Sequence, residues 1–172
     1  MIFSGKKEQF AIEAEITSKE GEWIFGHLRF WLHGTECGNW NDDVDLRGSH
    51  SWLKDFIQNQ QDRYEPGMFE ATPIVVFQLL VEPIFPANPN ARVPEVYQKT
   101  DSRFHIGHLG MSSFNRVRMV LIENSTFQRC VWEAGLGEGI HDDLFPSGHM
   151  QQVAKDFCSL LEREIASLGI AL

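Results

Sequence analysis

Residues 10–33 decide the fold, and they read Phe-Ala-Ile-Glu-Ala-Glu-Ile-Thr-Ser-Lys-Glu-Gly-Glu-Trp-Ile-Phe-Gly-His-Leu-Arg-Phe-Trp-Leu-His. In residues 10–17 apolar and polar side chains alternate, which is the pattern of a strand buried on one face. Residues 18–22 contain a glycine and predict a turn, and a second alternating run follows from Trp23 to about His33. Two such runs joined by a short turn predict an antiparallel hairpin.

The alternation also predicts which side chains of the second strand share a face. One set is apolar and is expected to pack on the core: Ile24, Leu28, Phe30 and Leu32. The other set mixes aromatic, histidine and arginine side chains: Phe25, His27, Arg29, Trp31 and His33. A half-exposed, hydrogen-bonded sheet surface is expected from this second set.

A helix is predicted after an acidic loop. Residues 35–46 are polar, acidic and contain glycine, so they predict a loop. Ser49 or Ser51 is then expected to cap a helix. The apolar positions of that helix have the spacing of one helix face: Trp52, Leu53, Phe56 and Ile57.

A second, short helix is predicted at residues 74–81. The pair Thr72-Pro73 resembles a cap followed by proline at the first helical position, and Pro83 is placed to end the helix. The β-branched composition of residues 74–81 would also suit a strand, but the Thr-Pro entry favours the helix. Residues 86–94 contain three prolines and predict an irregular connection.

The last third of the chain predicts a short strand, a second hairpin and a long helix. Residues 104–109 suit a strand, and residues 116–122 and 127–132 flank a polar turn. Residues 135–148 are acidic and glycine-rich and predict a loop. An amphipathic helix, which a glycine is placed to end, is predicted from these positions: Met150, Val153, Ala154, Phe157, Leu161, Ile165, Leu168 and Gly169.

The order of these elements, ββ-α-α-βββ-α, predicts an α+β protein. Its antiparallel sheet is expected to have about five strands, with helices packed on one face. The chain has 172 residues, of which 42% are hydrophobic and 23% charged. This size and composition predict a single globular domain that spans residues 1–172.

Cysteine usage and hydropathy predict a soluble, cytoplasmic protein. Cys37, Cys130 and Cys158 are odd in number and widely spaced, so neither a disulfide framework nor a zinc site is expected. The N-terminal residues lack the apolar run of a secretory signal, and there is no run of about 18 apolar residues that predicts a membrane span. The net charge of −9 disfavours nucleic acid and anionic membranes as partners.

Most of the net negative charge lies in two stretches that contain neither Lys nor Arg. We call residues 30–46 the first acidic stretch and residues 130–154 the second acidic stretch. Their acids are Glu36, Asp42, Asp43 and Asp45 in the first, and Glu133, Glu138, Asp142 and Asp143 in the second. Outside the two stretches, acidic and basic residues nearly balance.

Apolar side chains lie among these acids: Trp40, Val44 and Leu46 in the first stretch, and Leu136, Ile140, Leu144 and Phe145 in the second. An apolar anchor ringed by charge of one sign is typical of an electrostatically steered protein interface. A basic protein partner is therefore predicted, and a merely solvated surface is the alternative. The predicted binding residues are Glu36, Trp40, Asp42, Asp43, Asp45, Glu138, Asp142 and Asp143.

Motifs for catalysis are missing from the sequence. There is no phosphate-loop lysine, Gly-x-Ser-x-Gly or His-Glu-x-x-His motif. The glycines of residues 135–139 lack the spacing of a dinucleotide site and predict a turn. Cys130 and Cys158 are expected in the core, and Cys37 among acids is expected to be a poor nucleophile. We therefore predict a non-enzyme without cofactor or metal. A metal-dependent hydrolase is an alternative, with these ligands: His141, Asp142, Asp143 and His149.

The opening of the chain resembles a known family of bacterial proteins. The motifs are Met-Ile-Phe-Ser-Gly at 1–5, Phe-Ala-Ile-Glu at 10–13, and the run at 23–34 with Gly26, Trp31 and Gly34. They look like the start of immunity protein family forty-two, small α+β proteins of polymorphic-toxin and contact-dependent inhibition systems. The likeness is clearest over residues 1–57 and weaker around 69–85 and in the last hairpin and helix.

The resemblance implies an immunity protein that binds and neutralises a cognate toxin domain, commonly a basic nuclease, in the cytoplasm. Such a protein needs no active site, which agrees with the missing motifs. Its acidic surface is suited to occupying a groove meant for nucleic-acid phosphates. Besides the hydrolase, the alternative is an adaptor or chaperone that escorts an effector without inhibiting it. Bound metal is expected of the hydrolase, and a still-active effector is expected of the adaptor.

Overall fold

The hairpin predicted at residues 10–33 is confirmed and lies at the centre of a five-stranded antiparallel sheet. The structure is a computed structural model that describes residues 1–60, 62–82, 102–106 and 112–169. The strands of this sheet are β1 Ile2–Gly5, β2 Phe10–Glu20, β3 Trp23–Leu32, β4 Thr35–Cys37 and β5 Val44–Asp45. They are ordered β1-β2-β3-β4, and β5 also pairs with β3.

The chain divides into two compact units. The first contains residues 1–60, 109–116 and 149–172, and the second contains residues 61–108 and 117–148. The α+β class and the antiparallel pairing are confirmed in both units. The strands differ from the expectation in being divided between two sheets, one of five and one of three strands. A single domain over the whole chain stays a prediction.

Short strands of the first sheet are missing from the sequence prediction. The loop expected at residues 35–46 is wrong in part, because β4 and β5 lie within it. A two-residue turn joins β3 to β4, and in it His33 and Gly34 have positive φ angles of 51° and 81°. That geometry closes a tight hairpin, but no Asn-Gly or Asp-Gly pair signals it here. Strands of two to four residues are also too short to display a period.

The first helix, α1 (Leu46–Gln58), begins before either predicted cap. Its cap is Asp45, whose carboxylate accepts a hydrogen bond from the backbone N–H of Arg47 at 3.0 Å. Ser49 lies in the first turn, where its hydroxyl donates to the backbone carbonyl of Asp45 at 2.7 Å. The prediction that Ser49 or Ser51 caps the helix is therefore wrong.

The early start of α1 follows from how closely the helix approaches the sheet. Leu46 is fully buried, and a methyl group placed on Gly26 of β3 would collide with its side chain and with the carbonyl oxygen of Glu15. Glycine at this position leaves the space that Leu46 fills, so burial draws the first helical turn onto β3.

The final helix is confirmed as α3 (His149–Ser167), and it is followed by Gly169 in the left-handed region, with φ of 75°. It packs on β1, β2 and α1. Its buried positions are Met150, Gln151, Val153, Ala154, Phe157, Cys158, Leu161 and Ile165. Burial raises the pKa of the Cys158 thiol to about 11, so the side chain is an uncharged core residue at neutral pH, as predicted.

The second unit is a three-stranded antiparallel sheet with one short helix. The strands are β6 Arg118–Glu123, β7 Phe127–Glu133 and β8 His141–Pro146, in the order β6-β7-β8. The predicted second hairpin is confirmed as β6 and β7. The predicted loop at 135–148 is wrong in part, because β8 lies within it. Its polar residues resemble a loop in sequence, but two of its carboxylates bond to side chains of β7.

The short helix is confirmed as α2 (Pro73–Leu80). The hydroxyl of Thr72 accepts a hydrogen bond from the backbone N–H of Val75 at 3.4 Å, and Pro73 takes the first helical position. The helix packs into a buried cluster of the second unit: Val76, Phe77, Leu80, Val81, Phe104, Val120, Ile122 and Val131.

The strand predicted from residue 104 is wrong in its described part. Ser102–Phe104 form a single 3₁₀ turn, and His105 makes one isolated bridge to Val120. The ring of His105 bonds to the backbone carbonyl of Leu80 at 2.7 Å, and Phe104 is buried in the α2 cluster. Side-chain contacts therefore hold this segment in place of the backbone hydrogen bonds of a strand. Other predictions lie outside the described residues: strand residues 107–109, the helix stop at Pro83 and the irregular connection at 86–94.

A buried carboxylate joins the two central strands. Glu13 is buried, although the alternation of β2 placed it on the polar face. Its Oε2 accepts hydrogen bonds from Nε of Arg29 at 2.9 Å and from Nε1 of Trp31 at 2.7 Å, and Nζ of Lys7 is 3.5 Å away. Burial alone would raise the pKa of Glu13, but these hydrogen bonds and the charges of Arg29 and Lys7 outweigh it and lower the pKa.

Replacement of Phe157 by alanine tests the packing of α3. Phe157 is fully buried, so Phe157→Ala is expected to lower the free energy of unfolding by about 3–5 kcal/mol. Leu168→Ala, which truncates an exposed side chain just after the same helix, is the matched control and should change it by less than about 0.5 kcal/mol. Urea melts of the three proteins measure this, and a loss below about 1 kcal/mol for Phe157→Ala would show that α3 is peripheral.

Replacement of Glu13 by glutamine tests the buried carboxylate through pH. Because the folded protein has the lower pKa, ionised Glu13 stabilises the fold above the unfolded value of about 4.3, and this is lost as the pH falls through the folded value. Glu13→Gln should therefore cost about 1–3 kcal/mol at pH 7 and progressively less in acid. Urea melts from pH 7 to pH 3 measure the difference, with the exposed Glu20→Gln as control. A pH-independent difference would contradict this account.

Candidate functional site

The odd-numbered side chains of β3 lie on the opposite side of the sheet from the core. We call this surface the open face, and its β3 members are Trp23, Phe25, His27, Arg29 and Trp31. The even-numbered set is buried, as predicted: Ile24, Leu28, Phe30 and Leu32. His33, which was expected to continue the open face, lies instead in the turn that follows β3.

Arg29 lies at the centre of the open face, between two tryptophan rings. Its guanidinium carbon is 4.7 Å from the ring centroid of Trp31 and 4.2 Å from that of Trp40. Its Nη1 is 3.0 Å from Oε2 of Glu36, while its Nε is bonded to Glu13. Cation–π attraction therefore holds Trp40, a residue of the first acidic stretch, against the sheet.

His27 and Asp43 complete the surroundings of Trp40. The imidazole of His27 is 5.4 Å from the ring of Trp40, centroid to centroid. The Nδ1 atom of His27 is 3.8 Å from Oδ1 of Asp43, which also accepts a hydrogen bond from the hydroxyl of Thr17 at 3.1 Å. The two side chains beneath Trp40, Arg29 and His27, thus each face a carboxylate of the first acidic stretch.

The structure brings together three of the five binding residues predicted in the first stretch. Glu36 and Asp43 keep 51% and 64% of their side chains exposed and lie around half-buried Trp40. Asp42 is half-buried in the same loop, and Asp45 is occupied as the cap of α1. Two apolar residues expected among the exposed acids belong instead to the core: Val44 and Leu46.

Two of the three predicted binding residues of the second stretch accept hydrogen bonds from side chains of β7. Asp142 accepts two hydrogen bonds from Arg129, at 2.8 and 2.9 Å, and Arg129 also donates to backbone carbonyls in residues 69–71. Asp143 accepts a hydrogen bond from Nε1 of Trp132 at 2.7 Å. These two carboxylates therefore hold β8 to the rest of the second unit.

Other side chains of the second stretch are open to solvent. Glu138 is exposed in the turn before β8, next to Gly137 and Gly139, whose positive φ angles confirm the predicted turn at 135–139. Three of the four apolar residues expected among these acids are exposed: Leu136, Ile140 and Leu144. The fourth, Phe145, is buried. The acids of the first stretch belong to the first unit, and those of the second stretch to the second.

The candidate metal ligands do not form a cluster in the structure. In the described part of the chain, no group of three or more His, Cys, Asp and Glu side chains is arranged to hold a metal ion. His141 stacks on Trp132 with ring centroids 4.3 Å apart, while His149 starts α3 in the first unit. The three cysteines are buried. Across residues 1–60, 62–82, 102–106 and 112–169, no helix has the length and hydropathy that a membrane crossing needs.

Sequence reasoning missed how Arg29 and Trp31 contribute to this surface. The alternation of β3 placed both on the correct face, but it did not show that Arg29 reaches Trp40 or that Nζ of Lys7 lies 3.8 Å from the ring centroid of Trp31. The available signal was composition: a strand whose polar face carries tryptophan, arginine and phenylalanine resembles the centre of a protein interface.

Comparison with solved structures supports the fold. The chain is similar to the crystal structure of CdiI from Burkholderia dolosa AUO158, with a TM-score of 0.69 and 16% sequence identity. The similarity covers 92% of this chain and 99% of that chain. At this identity the likeness concerns the fold alone. No match was found among curated proteins.

Comparison with protein families is more specific. The model of the family described as Immunity protein 42 matches residues 1–159. The match contains the region of clearest resemblance, residues 1–57, and continues through the last hairpin into α3. The chain therefore belongs to the Immunity protein 42 family.

Proposed function

We propose that this immunity protein binds and neutralises a cognate toxin domain in the cytoplasm, and that the toxin is a basic nuclease. Family membership supports an immunity role and hence a toxin partner. The basic nature of the toxin is inferred from the net charge of −9, most of which lies in the two acidic stretches. Association of such a pair is accelerated by long-range electrostatic attraction.

One observation carries the choice of surface: exposed Glu36 and Asp43 lie around Trp40, and Arg29 and His27 hold that tryptophan in place. A tryptophan fixed before binding loses little conformational freedom when a partner covers it. Carboxylates at its edge are suited to pair with Lys or Arg of the toxin. We propose that Glu36, Trp40, Asp42 and Asp43 contact the toxin. Asp45, Glu138, Asp142 and Asp143 add negative charge that steers its approach.

The inhibitory mechanism proposed here is occupation of the toxin surface, without catalysis. Carboxylates on the immunity protein take positions that the phosphates of a nucleic acid would take, so substrate and inhibitor compete for the same cations. Steering sets the rate of association, and the contacts around Trp40 set the rate of dissociation. Glu138, with exposed Leu136 and Leu144 nearby in sequence, gives the second stretch the same combination of charge and apolar surface.

Neutralisation of the first stretch tests the electrostatic part. A variant with Glu36→Gln, Asp42→Asn and Asp43→Asn leaves the helix cap Asp45 intact and should associate more slowly with the toxin, with a weaker dependence on salt. Stopped-flow association at low and high ionic strength measures both effects. The parallel variant Glu138→Gln, Asp142→Asn, Asp143→Asn reports on the second stretch, with denaturant melts to correct for the lost hydrogen bonds of Asp142 and Asp143.

The control removes the same charge elsewhere, by Glu8→Gln, Glu70→Gln and Glu164→Gln at exposed positions. Equal slowing in the control and in both stretch variants would show that net charge acts without a localised interface. Nuclease assays of the toxin, alone and with the wild-type protein, test the rest of the proposal. A toxin that stays active in the complex would favour an adaptor, and a toxin that cleaves no nucleic acid would remove the nuclease assignment.

Replacement of Trp40 tests the proposed anchor. Trp40→Ala is expected to speed dissociation of the toxin by the equivalent of about 2 kcal/mol, with little effect on association, because short-range contacts are lost. Trp52→Ala, which truncates another half-buried tryptophan on α1, is the matched control. Dissociation rates are measured by competition, and denaturant melts correct for any loss of stability. Equal dissociation rates for the two variants would contradict an anchoring role for Trp40.

A further inference from the structure

The open face continues beyond Trp40 to the far end of β3. Trp23 is 59% exposed and stacks on Phe25, with ring centroids 6.5 Å apart and an angle of 14° between the rings. Both lie on the same face of the sheet as His27, whose ring contacts that of Trp40. From Trp23 to Trp31 the strand extends about 26 Å, at roughly 3.3 Å per residue. An accessible aromatic strip therefore runs along the open face from the Trp40 site to Trp23, whereas Trp31 at the other end is buried beneath Lys7 and Arg29.

A β-bulge sets the charge along this strip. The pairing of β2 with β3 shifts between Ile16 and Ser18, so Glu20 lies opposite Trp23. Strict alternation from Glu13 would have put Lys19 on the open face in its place. Lys19 instead donates a hydrogen bond to the backbone carbonyl of Leu168, next to α3. The bulge thus turns an acidic side chain towards the aromatic strip and a basic one away from it.

The strip is acidic as a whole. Its cross-strand partners on β2 and β4, together with the carboxylate beside His27, supply five negative charges: Glu13, Glu15, Glu20, Glu36 and Asp43. Two cations oppose them, Lys7 and Arg29, so the net charge of this set is −3. Both cations contact Glu13, and Arg29 also contacts Glu36, which leaves the negative charges of Glu15, Glu20 and Asp43 in excess. A surface of this kind is complementary to a protein that presents Lys and Arg around an apolar centre.

Aromatic composition distinguishes this strip from the second acidic stretch. The exposed apolar residues of that stretch are aliphatic, and two of its acids are bonded within its own unit. Interface residues that dominate binding energy are enriched in tryptophan, tyrosine and arginine, and leucine is under-represented among them. The paired strands β2 and β3 also hold the strip rigid before a partner arrives, which lowers the entropic cost of binding.

We propose that the basic toxin domain docks along the open face of the first sheet, from the Trp40 site to Trp23. Trp23 and Phe25 form a second apolar contact, separate from Trp40. Glu20 and Glu15 pair with cations of the toxin at that end. This inference rests on the proposed function and adds to it a defined surface and side chains outside both acidic stretches.

Trp23→Ala tests this surface directly. The probe is the purified C-terminal domain of the cognate toxin, and its Kd for the full chain is measured by calorimetry. Trp23→Ala is expected to raise the Kd at least about tenfold. Tyr64→Ala is the matched control, because Tyr64 is an aromatic residue of the second unit with 57% exposure, and it should change the Kd less than about twofold.

Glu20→Lys supplies a second, independent measurement. The charge reversal should raise the Kd most strongly at low ionic strength, whereas Lys19→Glu, on the opposite face, should not raise it. If the wild type neutralises the toxin but Trp23→Ala and Glu20→Lys bind it unchanged, the docking surface proposed here is wrong and the immunity function stands. If the wild type neither binds nor neutralises the toxin, the proposed function and this inference are both overturned.

Discussion

The register of β2 on β3 is the constraint on which the rest of the first unit depends. Ten cross-strand pairs, from Phe10↔Leu32 to Glu20↔Trp23, fix which side chains lie on each face of the sheet. A slip of one residue would exchange the two faces and move the core residues into solvent. The same register therefore selects the buried surface for α1 and α3 and places Arg29, Trp31 and Glu13 together on the other side.

Charge is buried at the centre of the open face, which costs free energy unless every charge is compensated. Glu13 meets this condition through two hydrogen bonds, from Arg29 and Trp31, and through the ammonium group of Lys7. Arg29 in turn contacts Glu36 and the rings of two tryptophans. Because these contacts share side chains, the sheet and the loop of the first acidic stretch are held in one arrangement. The surface is therefore ordered by the same interactions that stabilise the strands.

Long periodic segments could be predicted from the sequence, and short ones could not. Periodic spacing of apolar residues predicted the β2–β3 hairpin, the β6–β7 hairpin and α3, and the Thr-Pro cap predicted α2. All four elements are confirmed. The strands β1, β4, β5 and β8 depend on pairing with partners that local sequence does not reveal. The bulge after Ile16 could not be predicted either, because no glycine or proline marks its position in the sequence. For the site, alternation located the open face, but the contacts of Trp40 required the fold.

Charge along the sequence is a different quantity from charge in space, and the two acidic stretches show why. Each is bordered by an arginine, and in the structure that arginine turns back onto the stretch: Arg29 onto Glu36, and Arg129 onto Asp142. The outcome differs between them. Arg129 occupies both oxygens of Asp142 and also binds backbone carbonyls, so its pair stabilises the unit. Arg29 shares its charge with Glu13, and Glu36 stays half exposed. A carboxylate that is positioned but incompletely neutralised keeps its attraction for a basic partner, which supports the proposal that the toxin docks at the first stretch.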